Sequence, residues 1–202
     1  YPRTEEADLA LLEKTGVDYV LMPSVEDIYP QKDTRMFDLG TTDKTMEGAH
    51  RPGHFNGVAQ VVSRLFDIVR PERAYFGEKD FQQIAVIREM VRRYGYPVQI
   101  VACPIVRGAD GLALSSRNAL LTPAHRAAAP TIYGALSENA AAARMMSVEE
   151  FRRRVVERID ATKLLKTEYL SVVHAETLEE IDTWSDSFPM RCCIAVQAGD
   201  IR

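Results

Sequence analysis

The stretch Phe76-Gly77-Glu78-Lys79-Asp80-Phe81-Gln82-Gln83 organises this chain, because it lies where a predicted strand turns into a predicted helix. The strand covers residues 73–76, and the helix begins near Asp80 and runs to about Tyr94, with its apolar residues at helical spacing. The first backbone N–H groups of such a helix point at one place. Together with the helix dipole, they form a potential anion-binding site.

The turn also carries side chains suited to a phosphate group. Gly77 lets the backbone approach a ligand closely, and Lys79 adds a mobile positive charge. Gln83 lies three residues after Asp80, on the same side of the first helical turn, and could offer its amide to a polar substrate beside the phosphate. The same residues also fit an ordinary helix start, with Asp80 as the cap and the other two exposed to solvent.

Length and composition set broad limits on function. A chain of 202 residues can hold one large or two small domains, and 46% hydrophobic with 27% charged residues is ordinary for a soluble globular protein. The net charge of −4 gives no reason to expect nucleic acid or a membrane surface as a partner. Three cysteines, two of them adjacent at Cys192 and Cys193, predict reduced thiols and a cytoplasmic location rather than a disulfide framework.

Short helices and strands are predicted before the turn. In chain order they are a helix capped by Thr4 and ended by Gly16, a strand at residues 17–22, a helical turn at residues 24–30, a short strand at residues 36–39, a loop at residues 49–57 and a helix at residues 58–69. The last helix carries a wide apolar stripe, which could pack on a sheet or meet a second subunit.

After the turn, Gly95 and Pro97 end the helix and residues 98–103 form another predicted strand. Strand, helix and strand at these lengths predict a parallel sheet with right-handed crossovers. Ligands of such sheets lie beyond the carboxyl ends of the strands. Residues 77–80 and 104–107 each follow a strand end, so we expect the two stretches to face a common ligand.

The pattern changes after Arg107, which suggests a second and smaller α+β domain. Its predicted elements are a turn at residues 108–111, an Ala-rich helix from Thr122-Pro123 to about Ala143, a helix at residues 148–159 behind a Ser147-x-x-Glu150 capping box, strands at residues 169–173 and 191–197, and a short helix capped by Thr177. We therefore predict one domain over residues 1–106 and another over residues 107–202.

Two further groups of residues could carry chemistry. Ser115-Ser116-Arg117 offers two hydroxyls and a guanidinium that can donate to phosphate oxygens, although an ordinary surface loop has the same composition. His50 and His54 have a zinc-binding spacing, but Pro52 and Gly53 exclude a regular helix between them and no third ligand is evident, so no metal site is predicted. His54 fits better at the start of the following helix, lining the ligand crevice of the sheet.

Three stretches in register resemble the pantoate–β-alanine ligase family: residues 51–58 (RPGHFNGV), 76–83 (FGEKDFQQ) and 109–118 (ADGLALSSRN). Tyr1-Pro2-Arg3-Thr4 and the C-terminal residues fit as well. The resemblance implies a ligase of the nucleotidyltransferase superfamily, acting in coenzyme A biosynthesis, with a Rossmann-like parallel sheet. Pantoate would attack the α-phosphate of MgATP to give pantoyl adenylate, and the amine of β-alanine would then displace AMP. ATP and Mg²⁺ are the implied cofactors, and a homodimer the implied assembly.

The resemblance also implies roles for individual residues. Lys79 would stabilise charge on the transferring phosphoryl group, and Gln83 would bind pantoate. Ser115, Ser116 and Arg117 resemble the phosphate-gripping loop that class I synthetases write as Lys-Met-Ser-Lys-Ser. The remaining ATP-binding residues would be Gly77, Glu78, Asp80, Val106, through its backbone, and Leu114, which stands where the family often has Met.

The family opens with a strand and a Met-Gly-x-Leu-His-x-Gly-His stretch, which has no counterpart after Tyr1. We therefore expect a partial Rossmann-like domain without its first βαβ unit, and a chain that does not ligate pantoate and β-alanine by itself. Measurable pantothenate formation by these 202 residues would contradict that. Two alternatives stay open: another adenylyl- or cytidylyltransferase of the superfamily, and a non-catalytic module that binds nucleotide or dimerises.

Overall fold

The computed structural model describes residues 4–202, so the resemblance noted at Tyr1-Pro2-Arg3 lies outside the described residues. The chain divides into two compact units, one up to Arg35 and one from Met36 to Arg202. The domain boundary expected at residue 107 remains a prediction. No helix within residues 4–202 is long and apolar enough to cross a membrane.

The first unit contains helices α1 (Glu5–Lys14) and α2 (Val25–Ile28). Gly16, with φ of 79°, follows the end of α1, and Ser24 forms a capping box with Asp27 at the start of α2. The strand predicted at residues 17–22 is wrong. A strand needs a neighbour to pair its backbone, and none pairs with these residues in the described chain, where Tyr19 is 93% exposed.

The second unit, described over residues 36–202, holds six helices and four strands. They are α3 (Glu47–His50), α4 (His54–Val69), β1 (Arg73–Gly77), α5 (Phe81–Tyr94), β2 (Gln99–Cys103), α6 (Pro123–Ala128), α7 (Thr131–Ala141), α8 (Val148–Asp160), β3 (Leu165–His174) and β4 (Met190–Ala198). Short 3₁₀ turns lie at Glu78–Asp80, Ser116–Leu120 and Ala143–Met145.

Strand, helix and strand follow one another in β1, α5 and β2, as predicted, and β1 pairs with β2 in parallel. Gly95, with φ of 68°, ends α5. Apolar faces of α4 and α5 meet in one core cluster, whose buried members are Leu39, Phe55, Ala59, Val62, Phe66, Val86, Ile87 and Met90. Ala74 and Phe76 of β1 and Ile100 of β2 pack against this cluster, in the α/β arrangement expected of an incomplete Rossmann-like domain.

The C-terminal part has the predicted α+β composition. β3 and β4 pair antiparallel, with an irregularity between Thr167 and Tyr169. Helices α7 and α8 supply Ala135, Val148, Phe151, Val155 and Ile159 to a second core cluster, which also contains Leu165, Val172 and Ala198 of the strands. Ser147 caps α8 by accepting the Glu150 N–H at 3.1 Å.

Two predicted elements are wrong because side chains or proline interrupt them. The strand at residues 36–39 does not form, since the N–H groups of Phe37 and Asp38 donate to Asn56 Oδ1 and to the Tyr94 hydroxyl, each at 2.8 Å. The Ala-rich helix is broken into α6 and α7 at Pro130, which has no N–H to continue the helical ladder.

Two further corrections concern local turns. The helix predicted after Thr177 is absent. The Thr177 hydroxyl accepts the Glu179 N–H instead, and Glu180 forms a β-bridge with Val173. The loop predicted at residues 49–57 contains the end of α3 and the start of α4. Gly53, with φ of 80°, turns the chain so that α4 begins at His54 rather than Val58.

Candidate active site

The predicted ligand edge of the parallel sheet is formed by the ends of β1 and β2. Gly77 lies opposite Cys103 in the register of the two strands. Neighbouring strands are about 4.8 Å apart, so the Glu78–Asp80 turn and the segment after Cys103 leave the sheet side by side. The two stretches that the sequence placed near a common ligand therefore share one edge.

The Glu78–Asp80 turn leads directly into α5 without a side-chain cap. Asp80 makes no capping hydrogen bond, so its interpretation as an ordinary cap is wrong and no side chain caps the first turn of α5. The Lys79 side chain is 36% exposed and lies 3.9 Å from Asp80 Oδ1, its one ion-pair contact in the described chain. A cation and helix N–H groups thus stand together where an anion would bind.

The two adjacent glutamines of α5 have different environments. Gln82 is buried, donates to the carbonyls of Thr42 and Thr45 at 2.9 and 2.8 Å, and accepts the Glu47 N–H at 3.0 Å. Gln83 is half-buried, and its amide has no hydrogen-bond partner within residues 4–202. Gln82 therefore serves the protein's own backbone, whereas the Gln83 amide is available to a substrate.

Val106 and Leu114 face each other across a short hairpin, in which the Leu114 N–H donates to the Val106 carbonyl at 2.9 Å. The side chains are 67% and 58% exposed, an apolar surface on which a flat ring can pack. The Val106 N–H has no partner in the described part of the chain and can donate to a ring nitrogen. This geometry is compatible with the adenine contact implied for the two residues.

Ser115, Ser116 and Arg117 follow the hairpin. The Ser115 hydroxyl accepts the Arg117 N–H at 3.3 Å, and Asn118 ties the turn to the hairpin by donating to the Ala113 carbonyl at 3.0 Å. Ser116 and Arg117 are exposed, and the Arg117 guanidinium makes no ion pair with any described residue. No hydrogen bond or ion pair in residues 4–202 joins this turn to Lys79, so a ligand would have to span the two.

A charged network surrounds Glu47, which no motif in the sequence indicates. Arg202 donates two hydrogen bonds to the Glu47 carboxylate at 2.6 and 2.5 Å, and the Tyr169 hydroxyl donates a third at 2.9 Å. Arg202 also pairs with Glu168, which lies 3.4 Å from His50 Nδ1. Sequence separations of 122 and 155 residues explain why no local pattern indicated these contacts.

The network shifts the proton affinity of its members. Burial raises the pKa of the Glu47 carboxyl, but the hydrogen bonds from Arg202 and Tyr169 outweigh it and hold that pKa below its ordinary value. Burial, followed by the negative Glu47 carboxylate, raises the pKa of Tyr169 well above its usual range. At neutral pH the ionised Glu47 carboxylate therefore accepts a hydrogen bond from the neutral Tyr169 phenol.

Arg51 and His54 extend this network to the start of α4. Arg51 lies 3.8 Å from Glu47 and donates from Nη1 to His54 Nε2 at 3.3 Å. Burial, and then the Arg51 charge, lower the pKa of the His54 imidazole, which is neutral at physiological pH. His54 thus lies at the start of α4, as predicted, with its Nε2 engaged by a guanidinium.

A second contact from the antiparallel sheet reaches the Glu78–Asp80 turn. Arg191 of β4 lies 3.9 Å from the Glu78 carboxylate and places its guanidinium carbon 5.5 Å from the Phe81 ring centroid. Of the charged residues assigned to ATP, Glu78 is therefore the one that is held by the C-terminal sheet. No local pattern in the sequence indicates this role of Arg191.

The comparisons with known proteins agree on one family. The family model for pantoate-beta-alanine ligase matches residues 1–202. The pantothenate synthetases of Porphyromonas gingivalis and Bacteroides thetaiotaomicron are 54% and 50% identical to this chain, each over the whole chain and 72% of the relative.

Solved structures give the same result. The crystal structure of pantothenate synthetase from Thermus thermophilus is similar with a TM-score of 0.87 and 45% identity, covering 98% of this chain and 75% of that one. A pantoate-beta-alanine ligase from Francisella tularensis, complexed with beta-gamma ATP and beta-alanine, is similar with a TM-score of 0.80 and 30% identity, covering 100% of this chain and 68% of that one.

Proposed function

This chain belongs to the pantoate-beta-alanine ligase family, whose reaction is the ATP-dependent joining of pantoate to β-alanine, and we propose that this reaction proceeds through a pantoyl adenylate. In the first step the pantoate carboxylate attacks the α-phosphorus of ATP and pyrophosphate leaves. In the second step the β-alanine amine attacks the acyl carbon and gives up a proton. The bond between the acyl carbon and the bridging oxygen breaks, and AMP leaves with that oxygen.

The shared edge of β1 and β2 is the observation that carries this proposal. The proposal is supported by the strand register, in which Gly77 lies opposite Cys103: Lys79 and the uncapped first turn of α5 follow one strand end, and the segment that leads to Val106 follows the other. An ammonium and backbone dipoles fixed at this edge stabilise charge that develops on the transferring phosphoryl group. Glu78 and Asp80, with the close backbone approach at Gly77, complete the nucleotide side, and Asp80 is suited to the ribose hydroxyls.

Gln83 binds pantoate in this proposal. Its amide is half-buried, three residues after Asp80, and has no protein partner among residues 4–202. Both a donor and an acceptor are therefore left for the hydroxyl and carboxylate groups of a small polar acid. The neighbouring Gln82 cannot take this role, since its amide already makes three protein hydrogen bonds.

The hairpin and the turn after it hold the rest of ATP. Val106 contributes its free N–H to the adenine ring, and Leu114 packs against the ring face. Ser115, Ser116 and Arg117 grip the phosphates, which is supported by the exposure of Ser116 and Arg117 and by the absence of an ion-pair partner for Arg117 in the described chain. Mg²⁺ would be carried by the triphosphate and would neutralise part of its charge.

Pyrophosphate exchange into ATP tests the proposal in the full-length protein. We expect exchange that depends on pantoate and falls roughly 100-fold when Lys79→Met removes the ammonium. Exchange supported equally by unrelated acids would favour another nucleotidyltransferase, and ATP binding without exchange would favour a non-catalytic module. Calorimetric titration of ATP with Arg117→Met measures the contribution of the second phosphate contact.

We also propose that two copies associate through the outer face of α4. Phe55, Val62 and Phe66 of this helix are buried in the core, whereas Ile68 remains 49% exposed. In sedimentation velocity experiments, Ile68→Glu is expected to shift the protein from dimer to monomer. Met145→Glu is the matched control, because Met145 is 83% exposed outside α4. A dimer that tolerates Ile68→Glu would refute this contact.

A cytoplasmic location is the remaining part of the proposal. It is supported by Cys103, Cys192 and Cys193, which are all free thiols in the structure. A reducing compartment keeps such thiols unpaired. Thiol labelling of the protein directly after cell lysis, with all three cysteines expected to react after unfolding, measures this state.

A further inference from the structure

We propose that Glu47 is a positioning residue of the ligation reaction, linking the antiparallel β3–β4 sheet to the turn that carries Lys79. The inference rests on the proposed function of that turn. Glu47 makes no contact with Lys79 itself. Its backbone N–H donates to Gln82 of α5, and its carboxylate accepts hydrogen bonds from Tyr169 and Arg202. Glu47 therefore acts through contacts with two different parts of the second unit.

The backbone of Glu47 is joined to the first turn of α5. Its N–H donates to Gln82 Oε1 at 3.0 Å, and Gln82 lies two residues after Asp80. The Gln82 amide also donates to the carbonyls of Thr42 and Thr45. Residues 42–47 and the start of α5 therefore hold each other, and a displacement of Glu47 is transmitted to the turn that carries Lys79.

The carboxylate of Glu47 is joined to the C-terminal sheet. It accepts two hydrogen bonds from Arg202 and one from Tyr169 of β3, at 2.5 to 2.9 Å. Its side chain is 21% exposed, so these charge-assisted bonds are partly shielded from water. His50 extends the contact by stacking on Tyr169, with ring centroids 5.4 Å apart.

The segment around Glu47 is constrained by its own backbone. Met46 is buried and has φ of 46° and ψ of −120°, a conformation that non-glycine residues rarely adopt. A Cβ on Gly48 would lie 2.0 Å from the Asp43 carbonyl oxygen. Such a conformation persists where surrounding contacts hold it. On the side of the C-terminal sheet these contacts are the Glu47 hydrogen bonds and the packing of Met46 against Val173 and Leu178.

Glu47→Gln and Arg202→Met in the full-length protein test the proposal by pantoate-dependent pyrophosphate exchange. We expect kcat to fall roughly tenfold or more, because small misplacements of catalytic groups are costly in rate. KM for ATP and pantoate should change by less than about threefold, since no ligand contact is lost. The double variant should lose no more than the single variants, because both break the same link.

Glu150→Gln is the matched control. Glu150 also accepts hydrogen bonds from two arginines, Arg153 and Arg154, but both lie on its own helix α8, so these bonds link no separate elements. Its kcat should equal that of the unmodified protein.

Three results would overturn the proposal: an unchanged kcat in both Glu47→Gln and Arg202→Met, a rise in KM with unchanged kcat, or a loss of kcat that disappears at temperatures where circular dichroism shows the variant fully folded. Absence of exchange in the unmodified protein would instead refute the proposed function.

Discussion

Replacing each of the adjacent glutamines of α5 by methionine should give opposite results. Methionine matches glutamine in length and volume but has no amide, so the change removes hydrogen bonds with little change in packing. Gln82→Met should destabilise the protein, because Gln82 is buried and bonded to Thr42, Thr45 and Glu47. Gln83→Met should leave stability nearly unchanged and weaken the use of pantoate.

The magnitude follows from the three bonds of Gln82. Each is worth about 1 kcal/mol net, so Gln82→Met should lower the free energy of unfolding by about 3 kcal/mol. For a chain of this length that corresponds to a fall in Tm of about 6–12 °C. Gln83 has no partner to lose within residues 4–202, so the cost of Gln83→Met should stay below about 0.5 kcal/mol.

Two assays separate the roles. Urea unfolding followed by far-ultraviolet circular dichroism gives the stability of each variant at constant m-value. Pyrophosphate exchange in the full-length protein gives KM for pantoate, which Gln83→Met should raise roughly tenfold or more, as expected for losing hydrogen bonds to a polar substrate.

Two results would contradict these expectations. Gln82→Met with a stability within about 0.5 kcal/mol of the unmodified protein would mean that its three buried bonds contribute nothing. Gln83→Met with an unchanged KM for pantoate would show that the free amide does not meet that substrate. Each result bears on one glutamine and leaves the other prediction standing.

Two glycines and one carboxylate provide the remaining predictions. Gly48→Ala should cost about 2 kcal/mol or more of unfolding free energy in urea, because its Cβ would lie 2.0 Å from the Asp43 carbonyl, whereas Gly57→Ala in α4, with nothing within 4 Å, should add about 0.5–1 kcal/mol. The hydrogen bond from Arg92 holds the pKa of the Glu89 carboxyl at about 2. The contribution of ionised Glu89 to the stability of the fold is therefore complete above the ordinary pKa of 4.5 and is lost as the pH falls toward 2. The Tm difference between the unmodified protein and Glu89→Gln should therefore shrink over that pH range; a constant difference would contradict this.

Periodicity predicted the parts of this fold that depend on local sequence. The strand before Gly77, the amphipathic helix to Tyr94 and the strand ending at Cys103 all form as expected, because apolar spacing and glycine stops act within a few residues. Ser24, Thr122 and Ser147 cap their helices for the same reason. The strand predicted at residues 17–22 does not form, because a strand is stable only where another strand pairs with its backbone.

Contiguous stretches of sequence identified the family motifs, the turn with Lys79 and the loop with Arg117, since the chemistry of each stretch depends on neighbouring residues. Tertiary structure alone distinguished Gln82 from Gln83, which are identical in type and adjacent in sequence, because burial and partners depend on which side of α5 faces the chain. It also brought Arg202 to Glu47 across 155 residues. Hydrogen bonds at that separation follow from the packing of whole elements, which local patterns do not encode.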